Sequence, residues 1–291
     1  MDAAGVRKVI LMPPPAPAGI GNANVESNIV TTAQYRPDRL FYGIGGNMLN
    51  SLIDKMPDSG VATQAQKTEF QNTFDRLTTA YPGAVVLGEF ATLHLSYEPA
   101  HAFEESPTNS DLMKLLADLA ATSDRPVDLH IDVVPQTIST PNFFRQASSR
   151  NPAQLQANIP GLENLLAYNR NARIVLAHVG RDTTGHMSPS LIDRLLAAHP
   201  NLYAQIHPVS EPLQSTTAIL DTAGNVRAEW VALMQKYPDR FVIGSDSFFS
   251  GNVRERSLGQ TQRFLQQLPG DLAYKIGCAN PLKTYKLSSG C

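Results

Sequence analysis

The stretch RIVLAHVG, residues 173–180, decides how the rest of the chain is read. Ile174 to Ala177 together with Val179 form an apolar run rich in β-branched residues, interrupted by one histidine, His178. A run that is apolar on both faces suits a strand of a parallel sheet covered on both sides. A histidine at its carboxyl end stands where parallel α/β folds keep their chemistry. A single histidine of this kind is also what a hydrogen-bonded core residue looks like. The weight therefore falls on how other strands in the chain end.

Several end the same way. AVVLGEF (84–90) ends at Glu89, PVDLHIDVV (126–134) contains His130, LYAQIH (202–207) ends in His207 and RFVIGSD (240–246) ends in Asp246. VRKVILM (6–12) and RLFYGIGG (39–46) bring the strands to seven. Apolar residues at helical spacing predict helices between them. Phe70, Phe74 and Leu77 mark one over 63–81, stopped by Pro82-Gly83, and Leu112, Leu115, Leu116 and Leu119 mark another over 111–121. Further helices are expected within 22–34 and over 155–169, 191–199 (opened by Pro189), 227–237, 254–268 and 272–287. His94 and His101 fall in the loop after Glu89. Residues 135–152 are expected to form a long loop, a lid or substrate loop by its length.

Strands alternating with helices call for a parallel sheet with right-handed crossovers. A doubly wound sheet is one such architecture, yet no GxGxxG or GxxxxGK[ST] loop follows any strand, and no nucleotide cofactor is expected. Polar residues at successive strand ends favour a TIM-like (β/α)8 barrel, one domain spanning residues 1–291, whose rim collects them. Seven strands leave the barrel one short. The missing first strand is expected before Val6, in keeping with an abrupt start only a few residues ahead of it.

At 291 residues and 31.7 kDa the chain can bury a large core. It is 42% hydrophobic and 17% charged with a formal net charge of −2, an ordinary globular balance with no electrostatic case for nucleic acid or an anionic membrane. No apolar run approaches the ~18 residues of a membrane span. The first residues lack the pattern of a signal peptide, but that absence does not assign a compartment: the expectation is a soluble protein, cytoplasmic unless such a peptide lies upstream of Met1. Cys278 and Cys291, the only cysteines, make neither a disulfide framework nor a cysteine-based zinc site.

Glu89, His130, His178 and Asp246 are the proposed metal ligands. Imidazole and carboxylate ligands to a divalent ion must converge from separate elements, and a barrel rim does this. One ion, zinc by preference, would lower the pKa of a bound water to ~7 and polarise a carbonyl.

GEF, DLHID, AHVG and IGSD, in that order, resemble the amidohydrolase-related, metal-dependent hydrolases of the TIM-barrel superfamily. The opening DAAGVRKVILMPP and the closing AYKIGCANPLKTYKL are similar to that family's helix–strand entry and final helix, so the likeness covers nearly the whole chain. The resemblance implies that His130 is the fifth-strand metal ligand. It implies for His178 a ligand or substrate-polarising role, and for Asp246 metal binding and acceptance of a proton from the attacking water. Glu89 stands where the family carries a bridging lysine or an acidic group, with a hydrogen-bonding role without metal as the alternative. The family's first strand supplies a His-x-His pair, which this sequence lacks. Either the chain is truncated at its amino end or it departs from the metal-binding pattern, and the strand count favours truncation.

Arg181, three residues after His178, is a candidate clamp for a substrate carboxylate, with a surface salt bridge as the alternative. His207 and His186 are further substrate-binding candidates. His199 is read as a helix-terminus cation and Asn280 as structural. The expected function is hydrolysis of an ester, lactone or amide of a small molecule by a metal-activated water, with Asp246 and His178 catalytic. A non-oxidative decarboxylase on the same scaffold, a metal-independent lactonase and a non-catalytic barrel are the rivals. A homo-oligomer is compatible with the sequence.

Overall fold

The computed structural model describes residues 1–209, 216–247, 256–288 and 290–291. The chain forms two compact units, residues 8–174 and residues 1–7 with 175–291.

The unit of residues 8–174 opens with β1 (Val9–Leu11) and α1 (Ala23–Gln34), followed by β2 (Leu40–Gly45) and the short α2 (Asn50–Ile53). The Asn22 side chain caps α1 by accepting the Asn24 N–H at 2.9 Å. Glu26 on α1 is fully buried, and its carboxylate accepts the N–H groups of Gly45, Asn47 and Met48 at 3.0–3.2 Å. Those bonds satisfy a charge that would otherwise be costly to bury and tie α1 to the loop after β2. Thr63 and Gln66 form a reciprocal capping box at the start of α3 (Gln64–Ala80). Then come β3 (Val86–His94), β4 (Glu104–Glu105), α4 (Asp111–Ser123) and β5 (Val127–Ile131), every residue of β5 being buried. Strands β1, β2, β3 and β5 pair in that order, all parallel.

Here the structure departs from the sequence reading in three places. β3 continues to His94, because Leu93 and His94 find antiparallel partners on β4. Glu89 therefore lies within the strand rather than at its end, and His94 is on the strand rather than in a loop. Residues 135–152 are not an open loop: β6 (Ile138–Ser139) pairs with β7 (Gln154–Leu155), with α5 (Asn142–Ala147) between them. Leu155 is consequently strand, and the next helix, α6 (Ile159–Tyr168), starts only where Pro160 enters its first turn.

In the other unit, β8 (Ile174–Val179) is buried along its whole length, as the apolar run requires. α7 (Pro189–Ala198) is capped by the Ser188 hydroxyl, which accepts the Leu191 N–H at 3.2 Å. β9 (Leu202–Ile206), α8 (Ala228–Lys236), β10 (Phe241–Ile243) and α9 (Arg256–Gln266) follow. β9 and β10 are parallel, and His207 N–H donates to the Val179 carbonyl at 3.1 Å beside them. β10 is shorter than RFVIGSD suggests, since Ser245 and Asp246 leave the ladder. The expected helix over 272–287 is an unbroken helical run over 270–284, in which α10 (Gly270–Tyr274) passes through a π turn at Lys275–Ala279 into α11 (Asn280–Thr284). Asn280 is structural: its amide donates to the Pro238 and Phe241 carbonyls at 2.8 and 2.7 Å. His199 caps α7 and is buried. Cys278 and Cys291 form one disulfide, a single bridge rather than a framework. Among the described residues no helix is long and apolar enough to cross a membrane.

Candidate functional site

In the unit that holds β8 to β10, three sequence-predicted residues meet. Asp246 Oδ1 lies 3.7 Å from His178 Nε2, and Asp246 Oδ2 lies 3.7 Å from His207 Nδ1. The two imidazole rings are 5.4 Å apart, and one ligand atom from each of the three residues falls within 4.8 Å of the others. His178 and His207 are buried, whereas the Asp246 side chain is 26% exposed and so forms the accessible side of the trio. Arg181 joins them through Nη1, 3.4 Å from Asp246 Oδ2, while its own N–H donates to the His178 carbonyl at 3.0 Å.

The backbone is bent to present these groups. His178 has φ +58° and Asp246 φ +45°, left-handed values that cost a non-glycine residue about 1–3 kcal/mol and persist where the surroundings impose them. After His178, Gly180 also has positive φ, and a Cβ there would come within 2.7 Å of Ile219. Beside the trio, the Gln205 carboxamide accepts the His178 N–H at 3.4 Å. Gly244 leaves room for that amide, since a Cβ would approach it to 2.5 Å. Gln205 was not singled out from sequence. Its signal is the polar residue two positions before His207 in an otherwise apolar strand, hence on the same face. His186 contributes its N–H to the Asp182 carboxylate at 3.0 Å, and its ring makes no hydrogen bond or ion pair with the trio.

The unit of residues 8–174 brings Glu89 and His130 together, with Nδ1 to Oε1 at 3.2 Å. Asp132, just past the end of β5 and missed by the sequence reading, stands 3.7 Å from His130 Nε2 and accepts the Leu95 N–H at 2.8 Å. Burial opposes a charge on His130, but the Asp132 and Glu89 carboxylates outweigh it and raise the imidazole to about 10. His94 packs its ring 4.2 Å from that of His130, and His101 meets His94 edge-on at 4.6 Å.

The model of the amidohydrolase family matches residues 63–287. The chain belongs to the amidohydrolase family. That family is one of enzymes. No curated protein sequence matches this amidohydrolase. Among solved structures it is similar to the 2,6-dihydroxybenzoate decarboxylase from Rhizobium, at 13% identity over 98% of this chain and 86% of that one, with a TM-score of 0.54. It is also similar to a uronate isomerase from Bacillus halodurans, at 11% identity over 99% of this chain and 67% of that one, again with a TM-score of 0.54. At such identities the likeness establishes the fold class of this family member, a TIM-like α/β barrel.

Proposed function

We propose that the chain is a metal-dependent enzyme acting at the acyl or carboxyl carbon of a small molecule. The observation that carries this reading is the trio of His178, His207 and Asp246. Two imidazoles and a carboxylate with ligand atoms this close are a donor set that fits a divalent ion, and imidazole-rich sets suit zinc. Such an ion, when bound, supplies Lewis acidity and lowers the pKa of a water. Glu89 and His130 join the ligand set on the strength of the family resemblance.

Around that centre the chain's own groups have distinct tasks. Asp246, the most open of the trio, accepts a proton at its carboxylate oxygens. His178, held by its backbone, polarises the substrate carbonyl. Arg181 offers a planar guanidinium to a substrate carboxylate, with His186 as a further contact. Hydrolysis of an ester, lactone or amide is the first reading. Non-oxidative decarboxylation is the second, favoured by the guanidinium beside Asp246 and by the fold's likeness to a 2,6-dihydroxybenzoate decarboxylase.

One experiment tests both. Zinc- or manganese-loaded protein is offered a panel of lactones, esters and amides alongside 2,6-dihydroxybenzoate, and acid and carbon dioxide release are followed. Acid without carbon dioxide supports hydrolysis, and carbon dioxide without ring opening supports decarboxylation. Asp246→Ala is expected to lower kcat by about a hundred- to ten-thousandfold. Unchanged turnover and metal content in both Asp246→Ala and His178→Ala would overturn the reading.

A further inference from the structure

The loop of residues 181–188 is held by a group the mechanism above does not use. Asp182 is 1% exposed, and its Oδ1 accepts three backbone N–H groups, from Gly185 at 2.8 Å, His186 at 3.0 Å and Met187 at 3.2 Å. Its Oδ2 accepts the Thr217 hydroxyl. Successive N–H groups converging on one oxygen form an anion nest, and here the occupant comes from the chain itself. A carboxylate buried this deeply is tolerable only because these donors surround it. Thr217 is fastened in turn, its carbonyl accepting the Trp230 indole N–H at 2.9 Å. The loop is thus closed on itself and clasped to the segment before α8.

We infer that Asp182 is a positioning residue for Arg181 and that the two together make the site selective for substrates carrying a carboxylate. The inference rests on the reading of the trio as the reacting centre with Arg181 as its carboxylate clamp, and adds the group that holds the clamp's backbone in place. Arg181 immediately precedes Asp182, and its backbone is bonded to His178. The backbone is thus held on both sides of Arg181, and its guanidinium lies against Asp246, with Nη1 3.4 Å from Oδ2. A long side chain ordered in advance loses less entropy on binding an anion, so a bidentate contact yields more affinity.

Trp230 is the only tryptophan, so its fluorescence reports on the clasp independently of activity. The test compares wild type, Asp182→Ala, Thr217→Val and Arg181→Ala in binding 2,6-dihydroxybenzoate and its methyl ester, followed by Trp230 emission and calorimetry. Thr217→Val removes only the hydroxyl bond and serves if Asp182→Ala fails to fold. The clasp variants are expected to lose about ten- to a hundredfold in affinity for the acid and less than about twofold for the ester. Asp182→Ala is expected to add nothing further in an Arg181→Ala background. Retained acid affinity in both clasp variants, or equal losses for acid and ester, would overturn the positioning role while leaving the trio's role intact. A wild type that binds neither ligand would overturn the carboxylate selectivity together with the substrate reading beneath it.

Discussion

Glu104 shows how much one buried group can do to this protein's response to pH. It is 3% exposed on β4, where the Asn50 amide donates to its Oε2 at 2.8 Å. Burial, reinforced by the charge of Asp54, raises the carboxyl from 4.5 to about 7. The folded state therefore holds a proton that the unfolded state has released between those values. The contribution from this group is full below about 4.5 and is lost as pH rises through about 7. Glu104→Gln keeps an oxygen for Asn50 and carries no charge. The variant is expected to melt above wild type at pH 8, by up to about 3 kcal/mol, and to match it at pH 4.5. Parallel melting curves for the two proteins across that range would refute the assignment. None of this is visible in the dipeptide Glu104-Glu105, because desolvation is a property of what packs against the pair.

At the scale of elements, strand ends position the candidate site, and β8 is the clearest of them. RIVLAHVG reads as a buried strand and is one. What the string conceals is the bend at its end, where His178 within the strand and Gly180 just past it both take positive φ. Gly180 is needed twice over, for its backbone conformation and because Ile219 leaves no space for a Cβ. Gly180→Ala is expected to destabilise the protein by about 2–4 kcal/mol and to reduce metal uptake through His178. A variant with unchanged melting and unchanged metal content would show that the turn tolerates a side chain. β3 illustrates the opposite case. Its boundary was misjudged because β4, two residues long and without an alternating pattern, supplies the pairing that extends it.

For the molecule as a whole, the carboxyl end is drawn in by the bond between Cys278 and Cys291, thirteen residues apart. Closing a loop of this length removes freedom from the unfolded chain worth up to about 3 kcal/mol. Reduction, or Cys291→Ser, is expected to lower Tm by about 3–6 °C in a thermal melt. An unchanged Tm would mean that the tail is equally ordered without the bridge. Two cysteines in 291 residues cannot announce such a pair, since pairing depends on where the π turn and the tail bring the two sulfurs.

The sequence by itself determined the class of fold and the chemistry of its strand ends. Apolar runs of strand length, alternating with helical periodicities, permit little other than a parallel α/β architecture. Within such runs Glu89, His130, His178 and Asp246 stand out because polar side chains are expensive among buried strands. Tertiary structure alone decided which of them touch. It set Asp246 against both His178 and His207, joined His130 to Glu89 and Asp132, and brought His94 beside His130. It also supplied Gln205 and Asp182, whose neighbours across the fold give them their roles. Sequence spacing governs which face of a strand a residue occupies. Distances between strands, and the loss of water that makes a carboxylate or an imidazole reactive, arise only when the strands pack.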